Sequence, residues 1–110
     1  MADATFDDFA ALDIRVMTVT RCEPNDGARH PAFRLWLDAG ELGELQSSAQ
    51  VTDRYESTDL VGRQVVAVNG FAPLRVGGFR SDVLVLGVET ADGVVLLGPD
   101  GPVPPGTAVT

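Results

Sequence analysis

Every Lys or Arg position in the chain is arginine, eight of them, and a guanidinium presents a planar fork of donors that grips a phosphate or carboxylate bidentately. Arg29, Arg34, Arg63, Arg75 and Arg80 lie in two stretches, Gly27 to Leu37 and Leu60 to Ser81, that hold no Asp or Glu. This segregation predicts a local cationic patch on a body whose net charge is −8. Arg75 and Arg80 bracket Gly77-Gly78, so a turn would carry both, where phosphate contact competes with the plainer role of two solvated charges. Phe71, Pro73 and Phe79 share that segment. An exposed Phe there would stack on a base or hold an unfolded peptide, and one of the two is expected in the core. Arg34 and Trp36 fall on the polar face of one strand, a pairing that suits a base, a peptide or an interface with a second copy. Ser47, Ser48 and Gln50 are uncharged hydrogen-bonding groups able to read a base edge or a peptide backbone, or to satisfy backbone groups at a strand end.

Catalytic and metal chemistry find little support. His30 stands beside Pro31 with no second His or Cys at ligand spacing, so no metal site is expected. Cys22 is the only cysteine, which excludes an internal disulfide and a multi-cysteine zinc site and leaves a reduced, strand-borne hydrophobe. The carboxylates are scattered, and Gly77-Gly78 lacks the Lys-Ser/Thr that completes a phosphate loop. The reading is a binding module without cofactor, not an enzyme. An acidic total opposes general nucleic-acid binding, since affinity for phosphate comes from cations displacing counterions, so any RNA contact must be local. No apolar run of 18 or more residues occurs, and three acids stand within Met1 to Asp8, so membrane insertion and a signal peptide are not expected and the cytoplasm is the default.

The elements that would position these residues are mostly strands. Thr5 to Asp8 resembles a capping box opening a short helix with Phe6, Phe9 and Ala10 on one face. Ile14, Val16, Met17, Val19 and Cys22 switch parity midway, as a long strand with a bulge does. Phe33 to Asp38 alternates throughout. Gly43 to Ala49 is a third strand, Ser57 to Val61 before Gly62 a short helix, and Gln64 to Val68, Val83 to Val88 and Val94 to Leu97 are strands separated by turns. Thr107 to Val109, after a proline-rich tail, is a last short strand. The late strands are apolar on both faces, which predicts a homodimer covering the second face. Strand number and order give an all-β fold: a five-stranded OB-fold barrel with a short N-terminal helix, a short helix between strands three and four, and extra C-terminal strands, as one domain over 1–110.

Four ordered segments carry a family resemblance. Asp13-Ile14-Arg15-Val16, Ser47 to Thr52, Leu60 to Val68 and Gly78 to Gly87 resemble the tRNA-binding domain also appended to methionyl-tRNA synthetase and to the β subunit of phenylalanyl-tRNA synthetase. The Ser-Ser-Ala-Gln-Val-Thr string and the ending Leu96 to Asp100 with Pro102-Val103-Pro104 are most similar to the CsaA branch. That resemblance implies a cytoplasmic homodimer with an OB-fold that binds tRNA and, in some members, unfolded preprotein segments destined for export. It extends the candidate contact set to Ser81. The chain departs from the CsaA pattern at Gly70, at Leu74 and over Glu44-Leu45-Gln46, where the branch usually has asparagine, arginine and a basic residue.

Overall fold

The computed structural model describes residues 2–110; Met1, the first residue of the expected domain, lies outside them. Alternation along Phe33–Asp38 (β2) sends Phe33, Leu35 and Leu37 inward, each 7% exposed or less, while Arg34, Trp36 and Asp38 face out. The long strand Asp13–Pro24 (β1) pairs antiparallel with β2 through its second half and with Gln64–Asn69 (β4) through its first. It serves both neighbours because it bends at a register shift between Val19 and Arg21, where the parity of its apolar residues switches. Glu44–Ala49 (β3) continues the sheet beside β2, and Leu84–Val85 (β7) beside β4, giving the order β3-β2-β1-β4-β7. The sheet curls until its two edges approach, and the core fills the inside with Met17, Val19, Leu35, Leu37, Leu60, Val65, Ala67 and Val83.

The short elements follow local chemistry. Phe6–Ala10 (α1) is capped by Thr5, whose side chain accepts from Asp8 N while the Asp8 carboxylate accepts from Thr5 N at 2.8 Å. Ser57–Leu60 (α2) bridges β3 and β4, drops Leu60 into the core and stops before Gly62, whose φ of 88° suits glycine. Leu74–Val76 (β5) and Phe79–Ser81 (β6) form a hairpin turning on Gly77 and Gly78, both at positive φ.

The Val83 to Val88 run is not one strand. It divides into β7, which stays with the barrel, and Gly87–Thr90 (β8), which leaves it to pair with Gly93–Leu96 (β9) as a separate hairpin. Gly87 permits the departure, since a Cβ there would meet Val94 Cγ1 at 2.5 Å. The C-terminal strand shrinks to a single bridge, Arg15 to Ala108. The tail before it is tied down by Gln64, whose Nε2 donates to Val103 O at 2.7 Å and whose Oε1 accepts from Val103 N at 3.0 Å.

Candidate nucleic-acid interface

The β5–β6 hairpin lies against the outward side of β2 and β3, and its two faces have different jobs. Val76 pairs with Phe79 and Arg75 with Arg80 across the hairpin. Strand alternation therefore turns Phe79 toward the barrel, 8% exposed, and both arginines toward solvent. Phe79 meets Trp36 edge to face at 5.2 Å between centroids, the geometry that ring quadrupoles favour. Arg34 lies over the Phe79 ring at 5.2 Å, and Arg21 over Trp36 at 4.4 Å. The result is a stack of two rings between two guanidiniums, Arg21, Trp36, Phe79, Arg34. Trp36 is thus half-covered by the hairpin, while Phe71, just before it, is 53% exposed.

Beneath the stack sits Asn25, which no sequence pattern marked. It is 4% exposed and holds the loop between β1 and β2 against the hairpin: its Nδ2 donates to Val76 O at 2.9 Å and to Ser48 Oγ at 3.1 Å, and its Oδ1 accepts from Arg34 Nε at 3.0 Å. The two loops touch backbone to backbone, since a Cβ on Gly27 would lie 2.5 Å from Gly77 O. Arg29, two residues beyond Gly27, is exposed in this loop. Arg34, Arg75 and Arg80 are therefore on or against the hairpin, whereas Arg29 and Asp26 line a shallow cleft of the loop with Pro24, Phe33 and Thr52. Arg63 stands apart, over the Tyr55 ring at 5.1 Å.

Their charges are not equally available. Arg80 Nε donates to Asp82 Oδ1 at 2.7 Å, so its charge is matched locally. Among the described residues Arg75 donates only to Gly78 O, at 3.3 Å. Among the described residues the ion pairs are Arg15 with Asp13, Arg21 with Glu23 and Arg80 with Asp82, which leaves Arg29, Arg34, Arg54, Arg63 and Arg75 without a carboxylate.

Ser47, Ser48 and Ser81 close the barrel. Ser47 is 1% exposed and donates to Val83 O at 2.9 Å; Ser81 Oγ accepts from Ser48 N at 3.1 Å. Gln50 is exposed at the end of β3, on the wall of an open cleft shared with His30, Leu84 and Glu89. Pro73 is exposed in the loop leading to the hairpin. Cys22 sits half-buried on β1, its thiol pushed up to about 11 by burial and, secondarily, by Glu23, which keeps it protonated and unreactive at neutral pH. Among the described residues no cluster of three or more His, Cys, Asp or Glu could hold a metal, and no helix is long and apolar enough to cross a membrane.

A curled antiparallel half-barrel with a helix between its third and fourth strands and extra C-terminal hairpins defines an OB-like binding module. Residues 14–108 match the model of the putative tRNA binding domain, and the chain belongs to that family. It is 36% identical over 106 residues to a methionine–tRNA ligase of Methanococcoides burtonii, covering 96% of this chain and 15% of that enzyme. A methionine–tRNA ligase of Methanothrix thermoacetophila is 38% identical over 104 residues, covering 94% and 15%. The chain thus spans about 15% of the length of these curated relatives. Among solved structures, the chaperone CsaA of Bacillus anthracis is 53% identical with a TM-score of 0.88, covering 99% of this chain and all of that one. A CsaA chaperone protein of Picrophilus torridus is 38% identical with a TM-score of 0.92, covering 98% and 100%.

Proposed function

We propose that the protein is a single-domain, non-catalytic tRNA-binding module that works as a cytoplasmic homodimer. Contact runs through the hairpin and the loop packed against it. The observation that carries this reading is the presence of Arg34 and Arg75, neither matched by a carboxylate among the described residues, on and against one docked hairpin in a chain of net charge −8. Recognition is of shape and phosphate rather than sequence, because the deep groove of an RNA duplex hides its bases. Aminoacylation belongs to the long relatives as whole enzymes. Leu84 and Val88 on the late strands and Leu97 just past the last of them, between 41% and 55% exposed, support the dimer; a monomeric mass in solution would remove that part.

A gel shift with bulk tRNA tests the RNA reading. Affinity should fall steeply with salt, and about tenfold for Arg34→Ala, the loss expected for one charge-assisted contact. Arg75→Ala should weaken binding more than Arg80→Ala, whose charge Asp82 already meets. Absent binding at low ionic strength, or equal losses at Arg75 and Arg80, would reject this assignment of the surface.

A second reading, capture of unfolded preprotein segments, is favoured by Phe71 and Leu74, 53% and 69% exposed beside Pro73, and by solved relatives titled as chaperones. The acidic body would attract cationic segments electrostatically. Suppression of aggregation of an unfolded model protein, lost on Phe71→Ala, is its expected signature, and no protection at equimolar ratio would dismiss it.

A further inference from the structure

We infer that Asn25 is the positioning residue of this interface: its carboxamide docks the hairpin onto the barrel and fixes the direction of the Arg34 guanidinium. The docking rests on intramolecular contacts alone; its consequence for ligand rests on the tRNA reading above.

Asn25 is too buried, at 4% exposed, to touch a ligand itself. All its polar groups are engaged within the chain. Besides the three side-chain contacts, its N–H donates to Ala32 O at 2.9 Å and its carbonyl accepts from Ala28 N at 3.1 Å. The amide can face only one way, because Val76 O only accepts and Arg34 Nε only donates. No other residue type of this size supplies both. An aspartate would face Val76 O with a second acceptor and would neutralise Arg34; an alanine would remove the tie to Val76 O and free the guanidinium to wander.

Arg34 shows what the docking achieves. Its Nε is committed to Asn25, its Nη2 leans on Gly77 O at 3.5 Å, and its plane rests over Phe79. The remaining N–H groups have no carboxylate among the described residues and form a held fork for an oxyanion, with its ordering cost met before ligand arrives. Gly27 and Gly77 complete the device, because the hairpin reaches Asn25 only if the two backbones come within contact distance.

Trp36, the only tryptophan, is packed against Phe79 and so reports docking without any ligand. Two variants are compared with the native protein. Asn25→Ala removes the carboxamide. Gly27→Ala leaves Asn25 and Arg34 intact, has no left-handed φ to strain, and places a methyl 2.5 Å from Gly77 O. Both should shift Trp36 emission to the red and raise amide exchange over residues 74–81, while exchange in β1 and β4 stays slow. In tRNA titrations both should lose roughly tenfold in affinity, and Arg34→Ala added to Asn25→Ala should cost nothing further, because the fork is already misdirected.

Unchanged emission and exchange in Gly27→Ala would overturn the docking role, and this variant decides alone should Asn25→Ala not fold. Additive losses in the double variant would overturn the positioning of Arg34. If native protein binds no tRNA while the ligand-free shifts appear as expected, the function proposed above fails and the docking stands.

Discussion

The barrel is held differently at its middle and at its seam. Between β1 and its neighbours, backbone ladders run for six residue pairs on each side. Where β3 meets residues 81–83 side chains do much of the joining: Gln46 N donates to Asp82 Oδ2 at 2.9 Å, Ser48 N to Ser81 Oγ at 3.1 Å and Ser47 Oγ to Val83 O at 2.9 Å. Backbone adds Asp82 N to Gln46 O, at 2.7 Å. A ladder accepts any residue that fits the pleat, because its bonds belong to the main chain. A seam of this kind demands hydroxyls and a carboxylate at fixed positions. Ser47-Ser48 and Ser81-Asp82 are therefore specified by closure, and their family-like appearance need not report ligand contact.

The largest effect belongs to the middle. Leu35, fully buried on β2 between two ladders, should cost about 2 to 5 kcal/mol when cut to alanine, since a rigid wall cannot collapse into the cavity. Urea unfolding measures it; a loss below about 1 kcal/mol would show that the middle yields as readily as the seam.

At the seam, Asp82→Ala should cost about 1 to 3 kcal/mol, because Gln46 N loses its acceptor. It should also release Arg80, whose guanidinium now faces Asp82. Stability and tRNA affinity are then expected to move in opposite directions at low salt, a result that simple damage to the fold would not give. A parallel fall in both would mean that Arg80 points away from the ligand, or that the hairpin leaves with the seam.

This division explains which parts of the molecule the sequence revealed. The ladder strands were legible because each is a run of alternating side chains. Phe33 to Asp38 reads at its true limits, and the Val19/Arg21 shift shows as a change of parity. The Thr5 to Asp8 cap and the Gly62 stop are also local signals, complete within a few residues. The β5–β6 hairpin is not: two three-residue strands are too short to show a period, and only Gly77-Gly78 announces the turn. The division of 83–88 was hidden for a related reason, since Gly87 looks like any strand glycine until Val94 is placed against it. Of the candidate site, the acid-free stretches single out Arg34, Arg75 and Arg80, which lie on or against the hairpin, but they do not show that Arg80 pairs with an acid two residues on. Asn25 left no trace because its partners lie 9, 23 and 51 residues away. The two-faced apolar pattern of the late strands says nothing of the tail, which Gln64 ties to β4 through Val103.

The smallest expected effect asks whether the ladder depends on side chains at all. Asp13 and Asn69 face each other at the end of the β1–β4 pairing, and Asn69 Nδ2 donates to Asp13 Oδ2 at 3.0 Å. That bond, aided by Arg15 and opposed by burial, holds the Asp13 carboxyl below its ordinary 3.8. The unfolded chain therefore takes up this proton at a higher pH than the folded one. The stabilisation is full above 3.8 and fades as pH falls through the lowered folded value. Asn69→Ala should reduce the urea midpoint slightly at pH 7, and the gap to the native protein should close as the solution is acidified below 3.8. A gap that persists unchanged in acid would trace the loss to Asn69 packing alone. A gap as large as that of Asp82→Ala would mean that the ladder, like the seam, is tied by its side chains, and the contrast between the two would fall.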